Sequence, residues 1–424
     1  MNILYLAHRL PYPPDKGDKI RSYRQLTRLA RRHQVWCASF VDRREDAVHV
    51  RRLRRFCVSA VAVPLVRGPA LIRAATGTIR GRTVTESFYR SREMAELVRR
   101  WSRLVPFDAV VAFSSSMAGY ALQASARRRV LDLCDLDSQK WLEYAEHSEP
   151  PLSWLYRLEA SRLSRRERAW LDAFDAAIVI SDAEAAGLDG IPRPEKLHVI
   201  TNGVDLPVHP RNHCGVPNEA PVIGFVGAMD YRPNVDAVSW FAEACWSELQ
   251  AAHPEARFRI VGRSPGRAVR RLGSMPGVEV VGAVSDVQTE LQSFDISVAP
   301  MRMARGLQNK VLEAMAAGLP VVLTTKAAEG INARTGEHFV VVDSADRMIR
   351  RILGLMADPA ERQRIGLAAR SYVARHHRWE DPLVRFEFVA TGAVQREIPR
   401  AVVLRDTTRR ASAEAPAPAE SSAL

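Results

Sequence analysis

The chain is expected to fold as two consecutive α/β domains, each a doubly wound, Rossmann-like parallel sheet, facing each other across a cleft. Three observations carry that expectation. Short apolar runs of strand length alternate with helix-length segments, the pattern of parallel sheets covered on both faces. The alternation breaks at Leu206–Pro221 (LPVHPRNHCGVPNEAP), which holds four prolines and no periodicity, and then restarts. The length of 424 residues suits two domains rather than one.

In the first half Asn2–Ala7 reads as a strand, followed by a loop at Pro11–Gly17 and a basic helix near Asp18–Arg32. Val35–Phe40 is the next strand, then a charged helix near Arg43–Cys57 and a strand near Val58–Val66. Asp108–Phe113, Val130–Leu133 and Ala176–Ile180 are further strand-like runs, and Leu152–Ala173 is a long amphipathic helix. The second half gives strand Val222–Val226, helix Val235–Leu249, strands Phe258–Val261 and Val278–Val281, helix Val287–Ser293 and strand Ile296–Ala299. Val311–Ala317 is a helix-forming run closed by Gly318, where a C-cap glycine belongs, and Pro320–Leu323 is a short strand. Helical residues from about Pro359 to Val394 close the fold, with a bend near Trp379. The expected boundaries are 1–205 for the first domain, 206–221 for a linker and 222–378 for the second domain. A C-terminal helix, 379–403, returns to the first domain, and 404–424, rich in Arg, Ala, Ser, Glu and Pro, is a disordered tail.

Composition narrows the class. Hydrophobic residues make up 47%, enough for packed cores, and no run of 18 apolar residues predicts a membrane-spanning helix. Met1–Ala7 lacks a basic flank and a cleavage site and reads as a core strand, not a signal peptide. Five scattered cysteines, without CxxC or a Cys/His cluster, suggest a reduced, cytoplasmic protein without structural zinc. The net charge of +13 favours anionic partners. Its surplus is heaviest before residue 130, in Arg21–Arg32, Arg43–Arg55 and Arg67–Arg103, which read either as solvated helix faces or as a cationic surface.

The candidate site follows from the strand ends. No GxGxxG follows the first strand and no P-loop occurs, so a nicotinamide or flavin cofactor is not indicated. The loop there instead carries His8, Lys16, Gly17, Asp18, Lys19 and Arg21, either a phosphate-facing loop or an ordinary helix start. Gly227, followed by Arg232, ends the first strand of the second half, and Gly262–Arg263 repeats the strand–Gly–Arg pattern. Asn234 reads as a helix N-cap. Gly306, Gln308, Asn309 and Lys310 form a polar bend into the Val311–Ala317 helix, whose free N–H groups and neighbouring Arg305 and Lys310 make an anion site. Glu313 in its first turns is either a ribose ligand or an acid favoured at a helix start. Asp132, Asp135 and Asp137 (LDLCDLD) allow a metal site or, more simply, the start of a helix. No Ser-His-Asp spacing stands out.

On these residues a resemblance can be stated. LEAMAAGLPVV resembles the donor-binding signature of GT-B glycosyltransferases, specifically glycosyltransferase family 4. FVGAMDYRPNVDAVSWF, RIVGR, VVGAVSDVQTEL and DISVAPM fall in the order of that family, and Ser181–Glu184 followed by TNGVD is similar to its run before the linker. PYPPDKGDKIRSY looks like the sugar transferases found with exosortase (PEP-CTERM) exopolysaccharide systems. The resemblance spans roughly Met1 to Val394. It implies a retaining transfer of a sugar from a nucleotide-sugar to an exopolysaccharide or polyprenyl-linked glycan acceptor, without a tightly bound cofactor or metal. Glu313 would hold the donor ribose, Arg232 and Lys310 would face the diphosphate, and Gly227, Arg263, Gly306, Gln308 and Asn309 would line the donor. The Gly17 loop would meet donor and acceptor. Eight residues before Glu313, where the family carries a first glutamate, this chain has Arg305.

Such an enzyme would be cytoplasmic and peripheral on an anionic membrane. The rival readings are a nucleotide-sugar epimerase or hydrolase of similar fold, a basic nucleic-acid- or membrane-binding protein without activity, and a scaffold that has lost activity. Aromatic–basic interleaving is missing, so nucleic acid is not an expected partner.

Overall fold

The computed structural model describes residues 1–42, 44–188, 194–207, 220–304 and 306–392. Most of the expected linker, the expected tail and Arg305 lie outside the described residues. The first sheet is built from β1 (Asn2–Ala7), β2 (Gln34–Val41), β3 (Ser59–Pro64), β4 (Phe107–Phe113), β5 (Ala126–Cys134), β6 (Ala176–Val179) and β7 (Leu197–Val199). The second is built from β8 (Val222–Val226), β9 (Arg257–Val261), β10 (Val278–Gly282), β11 (Ile296–Ala299), β12 (Val321–Leu323) and β13 (Val340–Val341). The strand orders are β3-β2-β1-β4-β5-β6-β7 and β10-β9-β8-β11-β12-β13. Every pairing is parallel, from Ile3 opposite Val35 and Ala109 in the first sheet to Val298 opposite Val322 in the second. Both sheets thus reverse their winding at the centre, between β1 and β4 and between β8 and β11, where open α/β sheets form ligand crevices.

The strands read as near-continuous apolar runs because both faces are covered. β1 shows why: Leu4 and Leu6 enter one core with Phe40, Val110 and Leu131, while Ile3 and Tyr5 enter the opposite core with Val35, Val111 and Val130. The second domain has a single core around Phe225, Phe241, Trp246, Phe258 and Phe294. β7 and β13 are short edge strands that periodicity did not reveal.

Some local expectations shift. The helix expected at Val235 begins at Arg232, because Pro233 occupies the first turn, where its fixed φ and missing N–H suit a helix start. Tyr231 is the N-cap, so Asn234 sits inside the helix and not at its cap. That helix passes through a π-type turn at Ala242–Trp246 before Ser247–Ala252. The charged segment before β3 is a 3-10 turn, Arg44–His49, with a short helix Val50–Leu53.

The chain crosses twice between the halves. On the way out Thr201–Asp205 runs beside His377–Arg378, with the Val204 amide donating to the His377 carbonyl at 2.7 Å. On the way back the Glu380–Thr391 helix lies against β4, β5 and the Gly17–Ala30 helix, burying Phe386, Val389 and Ala390 in the first domain's core. Phe386 and Val389 together contribute about 4 kcal/mol of apolar transfer free energy. Among the described residues no helix is long and apolar enough to cross a membrane.

Candidate active site in the cleft

The C-terminal ends of the strands line the cleft, and their backbone is unusual there. Ser114 follows β4, Cys134 ends β5 and Ser264 follows β9, and all three take positive φ (82°, 59° and 58°). Non-glycine residues in this region cost of order 1 kcal/mol or more and gather at functional sites.

The second-domain wall centres on the Asn309–Ala316 helix. Gly318, at φ 82°, ends it by letting the Leu319 amide reach the Ala314 carbonyl (3.1 Å) and its own amide reach Met315 (3.0 Å). The N-cap residue, Gln308, makes no side-chain cap bond. Lys310 is half-buried; its Nζ donates to Asn234 Oδ1 at 2.7 Å and lies 5.4 Å from the centre of the Phe225 ring. Burial lowers the Lys310 ammonium to about 8 against the opposing pull of Glu313. Glu313 stands one turn further on; burial lifts its carboxyl to about 7, partly offset by Lys310 and reinforced by Asp205. Both shifts arise mainly from burial, and strongly shifted groups of this kind cluster at functional clefts. Asn234 has a double role: it accepts from Lys310 through Oδ1 and donates through Nδ2 to the Ala228 carbonyl at 2.9 Å, beside Gly227.

The first-domain wall meets this helix closely. Asn202 Nδ2 donates to Asn309 Oδ1 at 3.0 Å. A Cβ on Gly17 would stand 2.7 Å from Asn309 Nδ2, so a larger residue there would displace the Asn309 amide. Gly306, at φ 60°, repeats the device: a Cβ there would stand 2.5 Å from Asp135 Oδ1 and 2.8 Å from Ile180 Cδ1. The Asp135 carboxyl is pushed up to about 6 by burial, against the pull of Lys140, and among the described residues its Oδ1 has no hydrogen-bond partner. Asp137 is held below the usual range because Lys140 and the Ser115 hydroxyl outweigh its burial. His8 Nε2 stands 3.2 Å from Asp18 Oδ2, stacked on Phe113, while Arg9 donates to the same oxygen at 2.7 Å. Burial would raise the Asp18 carboxyl, but the His8 hydrogen bond and the Arg9 charge hold it well below its ordinary value.

The sequence expectations divide accordingly. Lys310, Glu313, Asn309, Gly306 and Gly17 are brought together with Asn202 and Asp135, and His8 with Asp18. Arg21 is corrected: it is no cleft cation but a buried strut, donating through Nε to Asp132 Oδ2 at 3.0 Å and through Nη1 to the Ile200 carbonyl and Asn202 Oδ1. The helix phase turns it inward with Ser22 and Gln25, so its charge fixes the Asn202 turn instead of facing a ligand. Arg232 faces the first domain, donating to Ser148 Oγ at 3.0 Å and to the His147 carbonyl over the Tyr144 ring. Arg263 pairs with Asp15 at 2.8 Å, and Lys16 lies 3.6 Å from Asp230. These three cations thus make contacts between the two walls. Arg305 lies outside the described residues. Asp132 serves Arg21, Gln25 and the Cys134 amide, and among the described residues no cluster of His, Cys, Asp and Glu could hold a metal ion. Asn202 escaped the sequence reading as a site residue, and Asp135 entered it only as a metal-site or helix-start acid. The second is the middle acid of LDLCDLD, whose backbone turn at Cys134 carries no local signature.

Comparison with known proteins bears on the fold and on the second half of the chain. Residues 220–358, essentially the second sheet and its helices, match the family described as glycosyl transferases group 1. The whole fold is similar to HepE of Anabaena, solved in complex with UDP and with UDP-glucose, at 15% identity and a TM-score of 0.64, over 93% of this chain and 100% of that one. It is equally similar to a sucrose-phosphate synthase from Thermosynechococcus elongatus (18% identity, TM-score 0.64, 91% and 97% of the two chains). WaaG, a glycosyltransferase of lipopolysaccharide biosynthesis, gives 16% identity and a TM-score of 0.63 over 92% of this chain and 100% of its own. No curated protein matches. The matched segment makes the second half a glycosyl transferases group 1 domain, and the chain is a glycosyltransferase of GT-B architecture.

Proposed function

We propose that the chain transfers a sugar, with retention of anomeric configuration, from a nucleotide-sugar to an exopolysaccharide or lipid-linked glycan, in the manner of glycosyltransferase family 4 and of exosortase-associated systems. The observation that carries the donor half is the Lys310–Glu313 pair at the N-terminal end of the Asn309–Ala316 helix, inside the matched domain. When the bond between the anomeric carbon and the diphosphate oxygen breaks, the diphosphate leaves with the electron pair. Lys310 and the free amides of the helix start are placed to receive that charge, which supports a reaction without a tightly bound metal. Glu313 as carboxylate accepts hydrogen bonds from the ribose hydroxyls. Gly17, His8 and Asp135 form the facing wall, where donor sugar and acceptor hydroxyl would meet.

The surplus of arginine before residue 130 supports a cytoplasmic enzyme resting on an anionic membrane. The test is a thermal-shift panel of nucleoside diphosphates and nucleotide-sugars, followed by product analysis with and without added acceptor glycan. Stabilisation by at least one nucleotide-sugar, and sugar release that depends on acceptor, are expected. No stabilisation by any member would sink the donor assignment, and turnover without acceptor would point to hydrolysis or epimerisation instead.

A further inference from the structure

A second cavity lies outside the donor cleft. It is an open basin of about 940 Å³ on the first domain, between the Val84–Phe88 and Arg92–Leu104 helices and the middle of the Leu152–Ala173 helix. Seven arginines line it, with Glu86 the lone acid. Arg166 is paired with Glu86, and Arg162 donates to the carbonyls of Thr78 and Arg82. Arg82, Arg90 and Arg99 are exposed on its walls. Over residues 67–103 nine arginines face three glutamates, so the basin sits in a strongly positive field.

Beside it runs an apolar rim that the fold leaves uncovered. The Arg67–Ile79 helix buries Ala70, Ala74 and Gly77 and turns Leu71, Ile72 and Ile79 outward, the last two 67% and 86% exposed. The Leu152–Ala173 helix adds Trp154 (66% exposed), Leu155 and Leu158. Leu155, Leu158 and Arg162 follow one another at helical spacing on one face, so the same helix leads from apolar rim to basin. Arg162, bonded to the Thr78 carbonyl, ties the two helices together. Large aliphatic side chains exposed in such a group mark a contact surface, and arginines beside them select an amphiphile with an anionic head.

We propose that this basin and rim form the membrane-docking surface of the protein. Arg82, Arg90 and Arg99 take the phosphate groups of anionic lipids, and Ile72, Ile79 and Trp154 enter the acyl boundary. The inference rests on the membrane-contact reading above and gives it an address. The basin adjoins the cleft: Ser116 lines it, while the neighbouring Ser115 hydroxyl donates to Asp137 on the cleft side. Tyr120, on the basin wall, donates to the Tyr89 carbonyl at 2.6 Å, and Tyr89 packs edge-on against His8. A lipid-anchored acceptor held at the basin would therefore lie next to the first-domain wall of the site.

The test is co-sedimentation of the full chain with phosphatidylcholine vesicles with and without phosphatidylglycerol. Strong binding only with the anionic lipid is expected. Arg90→Glu with Arg99→Glu, and separately Ile72→Ser with Ile79→Ser, should each weaken it about tenfold or more, with nucleotide-sugar thermal shifts unchanged. Absence of binding by the unmodified chain would overturn both the docking surface and the membrane reading. Binding that survives both double variants would overturn this address alone. Loss with the arginine pair but not with the isoleucine pair would assign the basin to a soluble anion and overturn the docking proposal.

Discussion

Donor affinity should follow a bell-shaped pH curve centred between about 7 and 8. In the empty cleft burial lifts the Glu313 carboxyl to about 7, and burial lowers the Lys310 ammonium to about 8. The donor requires the charged form of each, a carboxylate for the ribose and an ammonium for the diphosphate. Above the Lys310 value the empty site holds a neutral amine, and binding must take up a proton. Below the Glu313 value the empty site holds a neutral acid, and binding must release one. Either step costs about 1.4 kcal/mol per pH unit beyond its limit, so the dissociation constant should rise about tenfold near pH 9 and again near pH 6.

The assay is calorimetric titration across that range with the nucleotide-sugar giving the largest thermal shift. A nucleotide-sugar is the right probe because a free terminal phosphate has its own proton near pH 6 and would blur the acid limb. Lys310→Met should flatten the alkaline limb and Glu313→Gln the acid limb, each leaving the other in place. A dissociation constant steady within about twofold from pH 6 to 9, or limbs that persist in these variants, would refute the assignment of the pair to the donor.

Other expectations bear on catalysis and on how the walls are held. Lys310→Ala should lower turnover about a hundredfold or more with an unchanged melting temperature, because the leaving diphosphate loses its cation; full activity would remove Lys310 from the mechanism. Arg21→Met leaves Asp132 buried without its counter-ion, and chemical denaturation should show a loss of about 3–5 kcal/mol. An unchanged midpoint would mean that the pair is not needed for the fold. Gly306→Ala forces a methyl against Asp135 and Ile180 and adds about 1–2 kcal/mol of left-handed strain. Activity should fall while circular dichroism stays native, and wild-type turnover would show that the walls need not close this far.

What the sequence determined by itself is the class. Alternating strand and helix periods, the proline-rich break and the glycine closing the motif helix are local signals, and each fixes local backbone. They gave the parallel sheets, their order along the chain and the helix carrying Glu313, which the fold starts two residues earlier so as to include Lys310. Tertiary structure decided which charges remain available. Arg21, Arg232, Arg263 and Lys310 all looked like cations at strand ends. Only packing shows that Arg21 is consumed by Asp132, while Arg263 and Arg232 reach across to the opposite wall. It also shows that Asp135 is left buried with an oxygen unpaired among the described residues. The reason is physical: the partners of these arginine side chains come from segments 84 to 248 residues away, so no spacing within one motif encodes them. The same holds for the arginine basin, whose arginines come from two helices and from the connections at Arg82 and Arg90 and meet only in the fold.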